Sequence, residues 1–264
     1  MPYHRASDGT RLYYEIAGRA GGRRATFVLV HGLCSNLEHW GEVRERLAER
    51  GRVLAVDLRG HGRSEAPPAG YTINGFATDL AGLVEAHGGT APVILAGHSM
   101  GSTVSLTLAV RQPRLVRAVI SVDGALDRYT TAEALPADRT YRAFVDREHP
   151  EGVRALYRFF FPDPRDASLG QRIIEDAART PRHAAIASLR ATLLADIPAI
   201  ARRVRQPLLY IGASRRNRSE AALQAVVPHG EFGQAAQAGH FVQLEAPDQV
   251  VAMIDRFVSR LDAD

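Results

Sequence analysis

Residues 93–101, Val-Ile-Leu-Ala-Gly-His-Ser-Met-Gly, carry an apolar run straight into Gly97-x-Ser99-x-Gly101, and a helical pattern follows at once. A strand that becomes a helix within so few residues leaves no room for side chains on the flanks of the turn. Glycines therefore stand there, and the residue between them is held in a strained conformation that projects its side chain from the end of a sheet. Ser99 is the candidate nucleophile. A Gly-rich turn with an incidental serine has the same five letters; the strand before it and the helix after it separate the two readings.

A serine hydroxyl is a poor nucleophile at neutral pH, so this reading requires a base and a third group to hold that base. In Ala238-Gly239-His240-Phe241, a histidine follows a strand-like run (230–236) and precedes a helical pattern that begins near Pro247. It lies in a loop, where an imidazole can reach the end of a sheet. Of the ten histidines, His98 is enclosed in the turn itself, and His31 and His61 occupy turns where bonding to backbone is expected. His240 is the candidate base.

Strands are expected near Tyr3, Arg11, Thr26, Arg52, Pro92, Val116, Pro207 and Glu231, and helices over 40–50, 73–87, 99–111, 219–226 and 246–261. Continuous apolar runs at 26–30, 53–56, 93–96 and 116–122 suit parallel strands buried on both faces. From Gly124 to Arg205 this rhythm stops, and the interval is mostly helical with a break at Phe161-Pro162-Asp163-Pro164.

Four motifs in register resemble those of α/β-hydrolase fold proteins across nearly the whole chain. They are His31-Gly32-Leu33 after an apolar strand, Asp57-Leu-Arg59-Gly60-His61-Gly62-Arg63-Ser64 after the next, the Ser99 turn, and the Gly239-His240 loop. The resemblance implies an α/β-hydrolase fold: an eight-stranded, mostly parallel sheet flanked by helices, with a helical cap inserted after strand β6. The core would be residues 1–123 and 206–264, and the cap 124–205. It also implies an oxyanion hole formed by the backbone N–H groups of Leu33 and Met100.

The chain departs from the commonest family pattern at the acid. Relatives usually carry it after the seventh strand, here Pro207–Gly212, but the usual position falls near Arg215, and arginine has no acceptor atom. Some family members, haloalkane dehalogenases among them, place the acid after the preceding core strand, where this chain has Asp123. Asp123 is the expected partner of His240. Glu220 is the alternative acid, with Asp127 and Asp196 behind it.

A chain of 264 residues, 45% of them hydrophobic, can bury one large core. The single cysteine, Cys34, excludes an internal disulfide framework. No signal-peptide-like or membrane-spanning apolar run occurs, so a cytoplasmic protein is expected. Metal-ligand spacings and a phosphate-binding loop are absent, and no cofactor is expected. The net charge of +4 comes from arginine alone, since the chain has no lysine. These arginines are interspersed with acids, as in Glu42-Val-Arg44-Glu45-Arg46, which suits a solvated surface and not a nucleic-acid or membrane partner.

The expected partner is a small-molecule substrate. Hydrolysis of an ester, amide or related acyl bond through an acyl-enzyme is the leading reading. Cofactor-free oxygenation on the same scaffold, or ligand binding and signalling with slow hydrolysis, are the alternatives. Within the inserted region Tyr129, Tyr141, Phe144, Tyr157 and Phe159-Phe160-Phe161 could line a pocket. Arg128, Arg142, Arg154, Arg158 and Arg182, with His183, could select a carboxylate, and Cys34 could touch the pocket.

Overall fold

The structure is a computed structural model that describes residues 2–19, 25–126, 130–214 and 219–263. Arg215, Asp127, Arg128 and Tyr129 lie outside the described residues. Eight strands form one sheet: β1 (Tyr3–Arg5), β2 (Arg11–Ala17), β3 (Thr26–Val30), β4 (Arg52–Val56), β5 (Val93–His98), β6 (Val116–Val122), β7 (Leu208–Ala213) and β8 (Glu231–Ala235). Their order is β1-β2-β4-β3-β5-β6-β7-β8. The β1/β2 and β2/β4 pairs are antiparallel and the rest parallel, in agreement with the expected eight-stranded, mostly parallel sheet.

The apolar runs bury both faces of the central strands, and their period of two sorts them between two cores. On one face Val28, Val30, Leu54, Val56 and Leu95 pack against α2 (Ile73–His87) and α3 (Met100–Arg111). On the other, Phe27, Leu29, Val53, Ala55, Ile94 and Ile120 pack against α1 (Gly41–Arg50) and α11 (Pro247–Leu261). Trp40, at the end of a 3-10 turn (Leu37–Trp40), is fully buried in that second core.

α3 is buried nearly all round, so its polar residues need internal partners. Ser105 and Thr107 donate to the carbonyls of Gly101 and Thr103, both at 2.8 Å. Ser102 and Ser121 share a hydroxyl hydrogen bond of 2.6 Å that links α3 to β6.

Between β6 and β7 the chain forms α4 (Arg139–Val145), α5 (Glu151–Arg158), α6 (Ala167–Ala178), α7 (Arg182–Leu194) and α8 (Ile197–Ala201). These helices have a core of their own, built on Leu135, Phe144, Val153, Tyr157, Ile173 and Leu189, into which Cys34 and Phe241 also project. After β7, α9 (Glu220–Gln224) is shorter than the expected 219–226 helix, because Val226 and Val227 fold back under a turn closed by Val227 N–H to Leu223 O at 2.7 Å. A short α10 (Val242–Glu245) precedes α11. Among the described residues no helix is long and apolar enough to cross a membrane.

Of the buried histidines, three have their pKa pushed down above all by burial: His61 to about 4, His31 and His98 well below the ordinary value. Above pH about 6.5 these imidazoles are neutral folded or unfolded. As pH falls from there toward 4 the unfolded chain takes up protons that the fold refuses, so stability is lost, by up to roughly 3 kcal/mol for His61 alone. Asp57, raised by burial to about 6, and Asp79, also raised by burial, act with the opposite sign, two carboxyls against three imidazoles. Chemical denaturation should show stability falling between pH 7 and pH 4.5, and His61→Asn should flatten that slope. A slope unchanged by the substitution would contradict the assignment.

Candidate active site

β5 ends at His98 and α3 begins at Met100, which leaves Ser99 alone to reverse the chain. It does so with φ 51° and ψ −116°, a region costly for a residue with a side chain. The glycines explain how the turn is packed. A Cβ on Gly97 would lie 2.3 Å from the Gly101 carbonyl oxygen, and one on Gly101 would lie 2.2 Å from that of Val30. Ser99 N–H donates to Val122 O at 3.0 Å, anchoring the turn to β6.

Asp123 follows β6 directly and also has a positive φ, 45°. Its N–H donates to Ile211 O at 2.8 Å, and its Oδ1 accepts from Ala213 N–H at 3.3 Å, so β7 fixes both backbone and carboxylate. The remaining oxygen, Oδ2, lies 2.6 Å from His240 Nδ1, and His240 Nε2 lies 3.1 Å from Ser99 Oγ. A carboxylate only accepts, so Nδ1 carries the hydrogen and Nε2 presents its lone pair to the serine hydroxyl. The chain Ser99–His240–Asp123 is thus continuous, with His240 and Asp123 both buried.

The histidine loop is held by groups that sequence reasoning did not assign. Glu245 accepts from Gly239 N–H at 2.7 Å and from Phe241 N–H at 2.9 Å, bracketing His240 on both sides. His98 Nε2–H donates to His240 O at 2.8 Å. The only sequence signal for Glu245 was its place one turn beyond the loop residue it ties down. Glu220, the alternative acid, stands exposed at the start of α9 and bonds Gln224 at 3.0 Å, and Asp196 caps α8 through Ala199 N–H at 2.9 Å.

Leu33 and Met100 line one cavity together with Ser99, Asp123 and His240. Met100 opens α3, and the first N–H groups of a helix have no acceptor within the helix and carry its positive dipole. The loop bearing Leu33 is fixed from below. His31 donates to Gly32 O at 2.8 Å and accepts from Leu58 N–H at 2.9 Å, while Asp57 accepts from Leu37 N–H at 2.7 Å and Arg63 N–H at 2.8 Å. Cys34 turns away from the cavity with φ 46° into the core of the inserted helices, where burial pushes its thiol up to about 12. It is no competing nucleophile.

The cavity has a volume of about 190 Å³. Leu156, Tyr157, Phe159 and Phe160 from α5 and the turn after it, with Leu189, Leu193 and Ile197, form its apolar walls, and Thr103, Thr140 and Thr192 add hydroxyls. Phe160 sets its ring 4.3 Å from that of His240. Tyr141 and Phe144 pack inside the insertion instead, and Phe161 stacks on Phe241 at 5.2 Å. The arginines proposed for carboxylate selection point elsewhere. Arg142 bonds Asp146, Arg154 bonds Glu175 and Arg158 bonds Glu151, at 2.6, 2.8 and 2.5 Å, and among the described residues no arginine lines the cavity. His183 bonds Pro67 O at 3.1 Å and does not line the cavity. The threonines escaped notice because a small polar residue on a helix carries no signal of its direction.

Comparison with known proteins gives concordant results. The sequence pattern described as the Alpha/beta hydrolase family matches residues 27–253. A 2-(acetamidomethylene)succinate hydrolase from Mesorhizobium japonicum is 30% identical, over 96% of this chain and 94% of that protein. An enol-lactonase from Burkholderia xenovorans superposes with a TM-score of 0.82 at 25% identity, over 98% of this chain and 100% of that one. An esterase from Exiguobacterium antarcticum superposes with a TM-score of 0.85 at 20% identity, over 97% and 98%, a likeness of fold.

If the carboxylate of Asp123 holds the productive tautomer of His240, Asp123→Asn should slow the reaction of Ser99 with an organophosphorus reagent by on the order of 10⁴. Glu220→Gln should leave that rate within about two-fold, as expected of an exposed substitution. Time courses followed by intact mass decide the matter, and equal rates in the Asp123 variant and the parent would remove the carboxylate from the reaction.

Proposed function

The chain belongs to the alpha/beta hydrolase family, and on that premise we propose that it hydrolyses a small ester or lactone through a covalent acyl-enzyme on Ser99. One observation carries the reading: the hydrogen-bonded chain Asp123–His240–Ser99, 2.6 and 3.1 Å long, at the floor of a largely apolar cavity.

Ser99 Oγ attacks the substrate carbonyl while His240 Nε2 takes its proton, and the carbonyl π pair becomes an oxyanion. The imidazolium so formed is stabilised by the Asp123 carboxylate at Nδ1. The N–H groups of Leu33 and Met100 receive the oxyanion, a donor of this kind contributing roughly 2.7–4 kcal/mol to the transition state. Collapse of the intermediate breaks the bond to the leaving oxygen, which takes the proton from His240. Water, deprotonated by the same imidazole, then attacks the acyl-enzyme and releases the acid and Ser99.

Residues 124–205 serve in this reading as a cap. Their helices supply most of the apolar wall above Ser99, so they limit the acyl group. A cavity of about 190 Å³ is smaller than sites for drug-sized ligands. Its described walls offer hydroxyls and no cationic side chain. A short, neutral acyl group suits it better than the dicarboxylate named for the Mesorhizobium relative.

Fluorophosphonate labelling followed by peptide mass spectrometry should modify Ser99 alone, and Ser99→Ala should abolish it. Modification of Ser102 or Cys34 at a comparable rate would overturn the assignment. In a panel of p-nitrophenyl esters kcat/KM should be highest for short neutral acyl groups and lower for a succinate monoester. Preference for the succinate ester would refute the substrate class while leaving Ser99 in place.

A further inference from the structure

We propose that Tyr157, on α5, is a positioning residue for the oxyanion hole, so that the inserted helices set the geometry of the chemistry as well as the shape of the pocket. This rests on the reading of Ser99 and Leu33 given above. Tyr157 Oη donates a hydrogen bond to the carbonyl oxygen of Leu33, the residue whose own N–H faces the developing oxyanion. The tyrosine is buried, and burial holds its hydroxyl well above the ordinary phenol range, so it remains a donor at every working pH.

The two residues that follow Leu33 are tied to the same insertion. Cys34 places its side chain in the insertion's core. Ser35 Oγ lies 2.5 Å from His39 Nδ1, and the far side of that imidazole, Nε2, lies 3.5 Å from Asp176 on α6. Leu33 and Cys34 thus meet the insertion directly, and Ser35 meets it through His39.

The electrostatic consequence follows from where the Leu33 carbonyl points. Engaged by Tyr157, its negative end is paired and directed at the phenol. Released, it is a buried acceptor with no partner, a costly state that rotation of the flanking peptides would relieve. Such rotation turns the Leu33 N–H out of line or swings the carbonyl dipole toward the oxyanion, and either change raises the barrier without altering how the substrate's apolar part is held.

The experiment removes one atom. In Tyr157→Phe, kcat for a short p-nitrophenyl ester should fall roughly ten- to hundred-fold, somewhat less than loss of a donor itself. KM should stay within about three-fold, as expected when only transition-state contacts are lost. Affinity for an alkyl boronic acid, whose tetrahedral adduct on Ser99 presents an oxygen to the hole, should fall in parallel with kcat. A merely structural role would not link those two quantities. Folding is checked by far-ultraviolet circular dichroism and thermal unfolding.

A folded Tyr157→Phe protein with kcat and boronate affinity within about two-fold of the parent overturns the proposal. Should that variant not fold, Asp176→Asn, at a partly exposed position, decides: a fall in kcat of about three-fold or more at unchanged KM supports it, and an unchanged kcat overturns it. Fluorophosphonate labelling of the parent separates this inference from the one beneath it. Absence of a Ser99 adduct refutes the hydrolase reading, whereas an adduct formed equally fast in parent and Tyr157→Phe refutes only the role of Tyr157.

Discussion

The contact on which the site depends is a backbone approach closer than any side chain allows. Gly101 at the start of α3 stands against the carbonyls of Val30 and His31 at the end of β3, with 2.2 and 2.5 Å left for a Cβ that is not there. Gly32 makes the reciprocal approach, its missing Cβ 3.1 Å from both His98 and Ser99. These contacts bring the end of β3 against the turn after β5, and with it Leu33 beside Ser99. Parallel pairing does the rest, because β3, β5, β6 and β7 deliver their carboxyl ends to one edge. Of the four non-glycine residues with positive φ among those described, three follow these strands: Cys34, Ser99 and Asp123. Each costs on the order of 1–3 kcal/mol, a cost that the surrounding hydrogen bonds and packing must offset.

What the sequence made legible is what backbone sterics determine locally. The Ser99 turn, the apolar parallel strands and the order of the elements follow from glycine placement and period-two patterning, neither of which depends on distant partners. Asp123 was legible by a different route, since Arg215 left the commoner position without an acceptor and the family resemblance then pointed to the residue after the preceding core strand. The structure puts its carboxylate against His240 Nδ1.

What could not be read was the direction of side chains on the inserted helices. Tyr141, Phe144, Tyr157 and Phe160 are all aromatics of the inserted region, and all pack in its core, yet only Tyr157 and Phe160 also reach the cavity. Helix rotation decides this, and it is set by tertiary packing. The arginines misled for a similar reason, since the carboxylates that pair with Arg154 and Arg158 lie 21 and 7 residues away in sequence. Glu245 was plain in the sequence but mute, because its role is to receive backbone N–H groups, for which any nearby acceptor would look the same.

The loop at residues 32–37 joins these two kinds of information. Its lower contacts, from His31 and Asp57, belong to the sheet and its motifs, while its upper contacts, from Tyr157 and, through His39, Asp176, belong to the insertion. A loop clamped from both sides has little freedom to relax when either side changes. Replacing the inserted helices to change the pocket therefore also replaces the partner of Leu33 O and the packing around Cys34. If Leu33 serves the oxyanion as proposed, pocket shape and oxyanion geometry are coupled through this loop, and an exchange of helices that enlarges the cavity while discarding the Tyr157 hydroxyl would trade rate for range.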